Sequence, residues 1–158
     1  MEECYEQFLT KNYGPNQNTV NTLSSLLLFL IAVAVFGLGN WVISIIMALI
    51  YLGLLIYSNN KFVEYEYELV CDELTITKIL NKKKRKRIAN IELKNIIEVE
   101  ADKKACKVID TYIDVENKLN KKVLYVKEKN QIRAYKIAMD RKMLEICRRI
   151  NPRVFNGI

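Results

Sequence analysis

Histidine is absent from all 158 residues, and the chain holds only two prolines and five glycines. Without imidazole it lacks the commonest general acid–base group and the commonest metal ligand. Three of the glycines, Gly37, Gly39 and Gly53, lie in one apolar region, so no glycine-rich loop exists to cradle a phosphate. The four cysteines, Cys4, Cys71, Cys106 and Cys147, are scattered without a Cys-x-x-Cys pair, which disfavours a structural zinc. They read as reduced, space-filling residues of a cytosolic domain, and neither a metal nor another cofactor is expected. The absence with the largest consequence is that of charge: residues 12–60 contain no Asp, Glu, Lys or Arg.

From Leu23 to Tyr57 nearly every residue is apolar. One straight helix over that stretch would be ~52 Å long, against a hydrocarbon core of ~30 Å. Two shorter spans fit instead, residues 19–36 and 41–57, broken at Gly37-Leu38-Gly39-Asn40, where two glycines and an asparagine suit a tight turn. Trp41 and Tyr57 at the ends of the second span match the interfacial preference of amphipathic aromatics. A cleaved signal is disfavoured, because the leader is acidic and the apolar stretch is of double length. All but one of the 25 Lys and Arg residues follow position 60, so the basic side faces the cytoplasm of a multi-pass plasma-membrane protein and both termini are cytoplasmic.

Residues 1–18 form an amphipathic leader. Tyr5, Phe8 and Leu9 fall at helical spacing beside Glu2, Glu3 and Glu6, which predicts a short helix ending at Gly14-Pro15. The spans carry no intramembrane charge, which disfavours a transporter or channel. Their polar residues Ser24, Ser25 and Ser44 suit helix packing, and the small residues Ala32, Ala34, Ala48 and Gly53 leave room for a homo-oligomer.

After Lys61 the periodicity changes from helix to strand. Val63, Tyr65, Tyr67 and Leu69 alternate with Glu64, Glu66 and Glu68, the pattern of a strand with one solvent face. Leu74 to Leu80 resumes the alternation after a turn at Cys71-Asp72-Glu73, and further strands are expected at 86–92, 96–101, 108–115, 122–128 and 131–137. Glu128-Lys129-Asn130-Gln131 is a polar turn. Residues 103–121 are long for a strand connection, so the strand at Val108 is the weakest and the region has the character of an insertion. Asp140 caps a last helix whose Met143, Leu144, Cys147 and Ile150 make one apolar face, stopped at Asn151-Pro152.

The whole reads as α+β: an N-terminal two-helix transmembrane hairpin, then an antiparallel β-sheet or barrel over residues 61–155, capped by a C-terminal helix. The run Phe62-Val-Glu-Tyr-Glu-Tyr-Glu-Leu-Val70, followed by Asp72-Glu-Leu-Thr-Ile76, Lys86-Arg-Ile-Ala-Asn-Ile91 and Asp140-Arg-Lys-Met-Leu-Glu-Ile146, resembles small bacterial membrane proteins that join a transmembrane hairpin to a pleckstrin-homology-like (PH-like) domain. That resemblance implies a cytoplasmic PH-like domain and brings no catalytic residue with it.

The sharpest local feature is six consecutive cations, Lys82, Lys83, Lys84, Arg85, Lys86 and Arg87, between the second and third strands of that domain. An antiparallel second strand must run back toward the membrane, so this basic turn is expected at the anionic lipid surface. The alternative is a docking or scaffolding subunit that holds a membrane-protein partner. Nucleic acid is disfavoured, because Tyr65 and Tyr67 alternate with glutamates and not with cations. An enzyme is disfavoured too, since no acid–base or nucleophile motif is present.

Overall fold

The structure is a computed structural model and describes residues 4–37, 39–100, 107–113, 119–128 and 131–156. The chain divides into two compact units: residues 12–63 with 80–84, and residues 1–11, 64–79 and 85–158.

The first unit is a pair of helices. Helix α1, Pro15–Ala32, starts with proline in its first turn, where a missing N–H costs nothing, and continues through a π turn at Val33–Gly37. Gly39 takes a positive φ of 61°, and Asn40 then caps α2, Trp41–Lys61, its side chain accepting from the Ile43 N–H at 3.2 Å. The break therefore falls where the glycines put it; Leu38 lies outside the described residues.

With its π turn the first helical stretch has 23 residues and the second 21, each long and apolar enough to cross a membrane. They reach further than the expected 19–36 and 41–57, because Pro15 initiates helix four residues earlier and Ser58-Asn59-Asn60 continue it past the last apolar residue. Only 11% of each apolar window is buried, and Leu26, Phe29, Phe36, Trp41, Ile45 and Leu49 are exposed. A core helix of a soluble protein buries such side chains; these suit lipid. Ala34 and Ser44 are buried, and Ser44 Oγ donates to the Asn40 carbonyl at 2.8 Å.

The second unit is β-rich. Its first sheet has the order β1-β2-β3-β4, with β1 Cys4–Leu9, β2 Val63–Val70, β3 Glu73–Leu80 and β4 Lys84–Glu92. The second has the order β5-β7-β8-β6, with β5 Ile96–Glu100, β6 Val108–Asp110, β7 Asn120–Glu128 and β8 Gln131–Met139. Strands β7 and β8 pair antiparallel along their whole length, whereas the three-residue β6 lies parallel to β8. Residues 129 and 130 of the expected polar turn are outside the described residues, as is much of 103–121.

Two expectations are overturned. The leader contains a strand and not a helix: Cys4–Leu9 pairs antiparallel with β2, with Tyr5 opposite Leu69 and Leu9 opposite Tyr65. Its true period is two, since Gln7 and Leu9 are buried and Glu6 and Phe8 are exposed. So short a helix would be marginal by itself, while a strand gains a full ladder from β2. A second overturned expectation is the solvent face of β2: Glu64 and Glu66 are buried, at 6% and 8% exposure.

Both sheets contribute buried side chains, Tyr67, Leu69, Leu74, Ile76 and Ile91 from the first and Leu124, Tyr135 and Ile137 from the second. Helix α3, Arg141–Ile150, adds Met143, Leu144, Ile146 and Cys147 to the buried set. Asp140 caps it as expected, accepting from the Met143 N–H at 2.7 Å. Pro152 does more than stop α3: it opens a short helix α4, Pro152–Phe155, that buries Phe155 completely. The described cysteines divide: Cys147 fills core space and burial pushes its thiol up to about 12, whereas Cys4 and Cys71 are exposed and fill none, and Cys106 lies outside the described residues.

Candidate functional site

The basic block begins in a two-residue turn. Asn81 and Lys82 both have positive φ, 48° and 56°, and the Lys83 N–H donates to the Leu80 carbonyl at 3.0 Å. That is the type I′ geometry whose twist matches the flanking strands, and asparagine is among the few non-glycine residues that enter it readily. Only Lys82 and Lys83 belong to the turn; Lys84, Arg85, Lys86 and Arg87 open strand β4.

All six cations are exposed, yet they do not form one patch. Neighbouring residues of a strand point to opposite faces. Arg85 reaches Glu66 with a 3.0 Å ion pair, parting it from Lys84 and Lys86 and compensating a buried carboxylate.

Asn81 fastens the turn to the helices. Its N–H donates to the Phe62 carbonyl at 2.7 Å, its Oδ1 accepts from Gln17 Nε2 at 3.0 Å, and its Nδ2 donates to Asn21 Oδ1 at 2.8 Å. The turn thereby meets both the beginning of α1 and the residue that follows α2. Tyr13 adds a further tie, its hydroxyl donating to the Val63 carbonyl at 2.7 Å and its ring meeting Phe62 edge-on at 5.2 Å.

Beside this junction lies a cavity of about 200 Å³. Asn21, Ser24 and Ser25 of α1 and Ser58 and Asn59 of α2 line it, with Asn81, Lys83 and Lys84 from the turn and β4. Leu28, Tyr51 and Leu55 extend it along the helices. Ser24 Oγ donates to the Val20 carbonyl at 2.8 Å and Ser25 Oγ to the Thr22 carbonyl at 2.9 Å, so those hydroxyls are satisfied within their own helix. Ser58 differs: it is 2% exposed, and its Oγ has no hydrogen-bond partner among the described residues.

Of the six cations singled out in the sequence, the cavity takes Lys83 and Lys84; Lys82, Arg85, Lys86 and Arg87 do not line it. Sequence reasoning passed over Asn81, Ser58, Asn59 and Asn21. Asn81 carries a legible signal, an asparagine directly before a polar run between two strands. Ser58 carries none, because its position just past the second apolar span looks like ordinary helix-end polarity.

No curated protein and no solved structure matches the chain. A family described as Bacterial PH-like domain (DUF6106) matches residues 1–156. That match takes in β1, both apolar helices and every strand and helix of the β-rich unit, and the chain belongs to this bacterial PH-like domain family.

Proposed function

We propose that the protein is a membrane-anchored, non-catalytic PH-like module that associates with the anionic cytoplasmic face of the membrane through its β3–β4 turn. The helices α1 and α2 cross the plasma membrane with both termini in the cytoplasm, as the concentration of cations after position 60 favours. One observation carries the reading: Asn81 hydrogen-bonds Gln17, Asn21 and the Phe62 carbonyl, so the basic turn is tied to the ends of the apolar helices where charge resumes. A cation held there is within a Debye length of ~8 Å of the headgroups, where each contributes ~1 kcal/mol of attraction. Arg85 contributes least, because Glu66 engages it.

Extraction of the full-length protein from membranes into polymer nanodiscs tests this. Anionic phospholipid is expected to be enriched around the wild type relative to the bulk membrane, less so in high salt. Replacing all six cations of the block by glutamine should remove the enrichment. A wild-type lipid shell with the composition of the bulk membrane would overturn the reading, and proteins co-purifying equally with wild type and variant would favour the docking role instead.

A further inference from the structure

Ser58 is hard to explain as a packing residue. A helical serine ordinarily satisfies its hydroxyl on a carbonyl one turn back, as Ser24 and Ser44 do. Ser58 does not, although it is buried almost completely and no described group compensates it. A buried hydroxyl left without a partner costs stability, and such groups are uncommon in folded proteins. Ser58 lines a cavity that Asn59, Lys83 and Lys84 line as well.

Ser58, Asn59, Lys83 and Lys84 border one space, and no carboxylate is among the described residues that line it. The volume, about 200 Å³, is several times the ~30 Å³ that a water molecule occupies in the liquid, so a phosphate group with a few attached atoms fits. Away from the lysines the wall becomes Leu28 and Leu55, which would repel a free anion and accept a hydrocarbon. Polar donors at one end and apolar side chains at the other describe a phospholipid better than an inorganic ion.

We infer that this cavity binds one phosphate-bearing headgroup of a membrane phospholipid. The phosphate oxygens accept from Ser58 Oγ and from the Asn59 amide and face the ammonium groups of Lys83 and Lys84, while the acyl chains follow Leu28 and Leu55. This is a stoichiometric site, distinct from diffuse attraction to the surface. It rests on the reading above that α1 and α2 lie in the bilayer with the turn at its face.

Native mass spectrometry of the full-length protein, purified in mild detergent and titrated with phosphatidylglycerol, tests the site. Wild type should retain one phospholipid per chain. Ser58→Ala leaves every charge in place and substitutes a strong helix former, so the variant folds; its lipid affinity should fall about 10-fold for one lost hydrogen bond. The double variant Lys83→Gln/Lys84→Gln should lose roughly 100-fold if each charge-assisted contact contributes about a factor of ten. An adduct that persists unchanged in both variants, or is absent from wild type, overturns the site.

The two readings fail separately. Ser58→Ala should keep the anionic lipid enrichment expected in nanodiscs while binding the single lipid about 10-fold more weakly, and a wild type that shows no enrichment yet retains the single lipid would sink the surface reading alone. Titration with inorganic phosphate distinguishes the source of the ligand. Binding much weaker than that of the lipid is expected, and equal binding would overturn a lipid as the occupant.

Discussion

Tyr5 shows how much one side chain in the acidic leader does. Its hydroxyl donates to the Asp140 carboxylate, the same group that caps α3, and its ring lies 4.9 Å from the Lys142 ammonium. The carboxylate acceptor, aided by burial, holds the phenol protonated and pushes its pKa up to about 12. Folded Tyr5 thus ionises later than the unfolded residue, near 10, so its contribution is complete below about pH 10 and lost as pH rises through about 12. Tyr67 and Cys147, raised chiefly by burial, act with the same sign. Tyr5→Phe should cost ~1–3 kcal/mol at neutral pH and shallow the alkaline decline of stability, as measured by denaturant melts in detergent across that range. An unchanged alkaline slope would show that Tyr5 does not carry it.

Among the elements, β1 and the β3–β4 turn each join distant parts of the sequence. Strand β1 is fixed by more than its ladder: Gln7 donates through Nε2 to the Ala138 carbonyl at 2.9 Å and accepts through Oε1 from the Asp140 N–H at 3.0 Å. The turn depends on Asn81, for its backbone and its side chain separately. Asn81→Gly keeps the left-handed conformation and loses the two side-chain bonds, at a cost of ~1–3 kcal/mol. Asn81→Ala loses the same bonds and adds ~1–2 kcal/mol for a Cβ in the left-handed region. Thermal melts of the two variants should therefore rank wild type, glycine, alanine; alanine at or above glycine would mean that the positive φ is not retained.

For the whole molecule, the question is on which side of the membrane the β-rich unit lies. Among the described residues two exposed thiols, Cys4 and Cys71, report on it, while Cys147 is buried. A membrane-impermeant maleimide should label Cys71 in inside-out vesicles and leave it unmodified in intact spheroplasts. Labelling from outside the cell would reverse the orientation and remove the cytoplasmic leaflet as the partner of the basic turn.

Patterns of local period and charge were enough to place the two apolar helices, their break at the glycines, strands β2 to β5, β7 and β8, and the Asp140 cap. Each of these depends on a residue's own neighbours along the chain, through backbone preference and the side on which apolar groups fall. Long-range pairing decided the rest. Cys4–Leu9 became a strand because β2 offers it a ladder some sixty residues away, and the fold buries Glu64 and Glu66, the latter paired with Arg85. The strand at Val108 is three residues long and parallel because β8 is the neighbour available to it. Lys83 and Lys84 were visible in the sequence as charge, but only the folded chain sets them on the border of the same cavity as Ser58, since linear spacing holds no record of which residues close around a shared space.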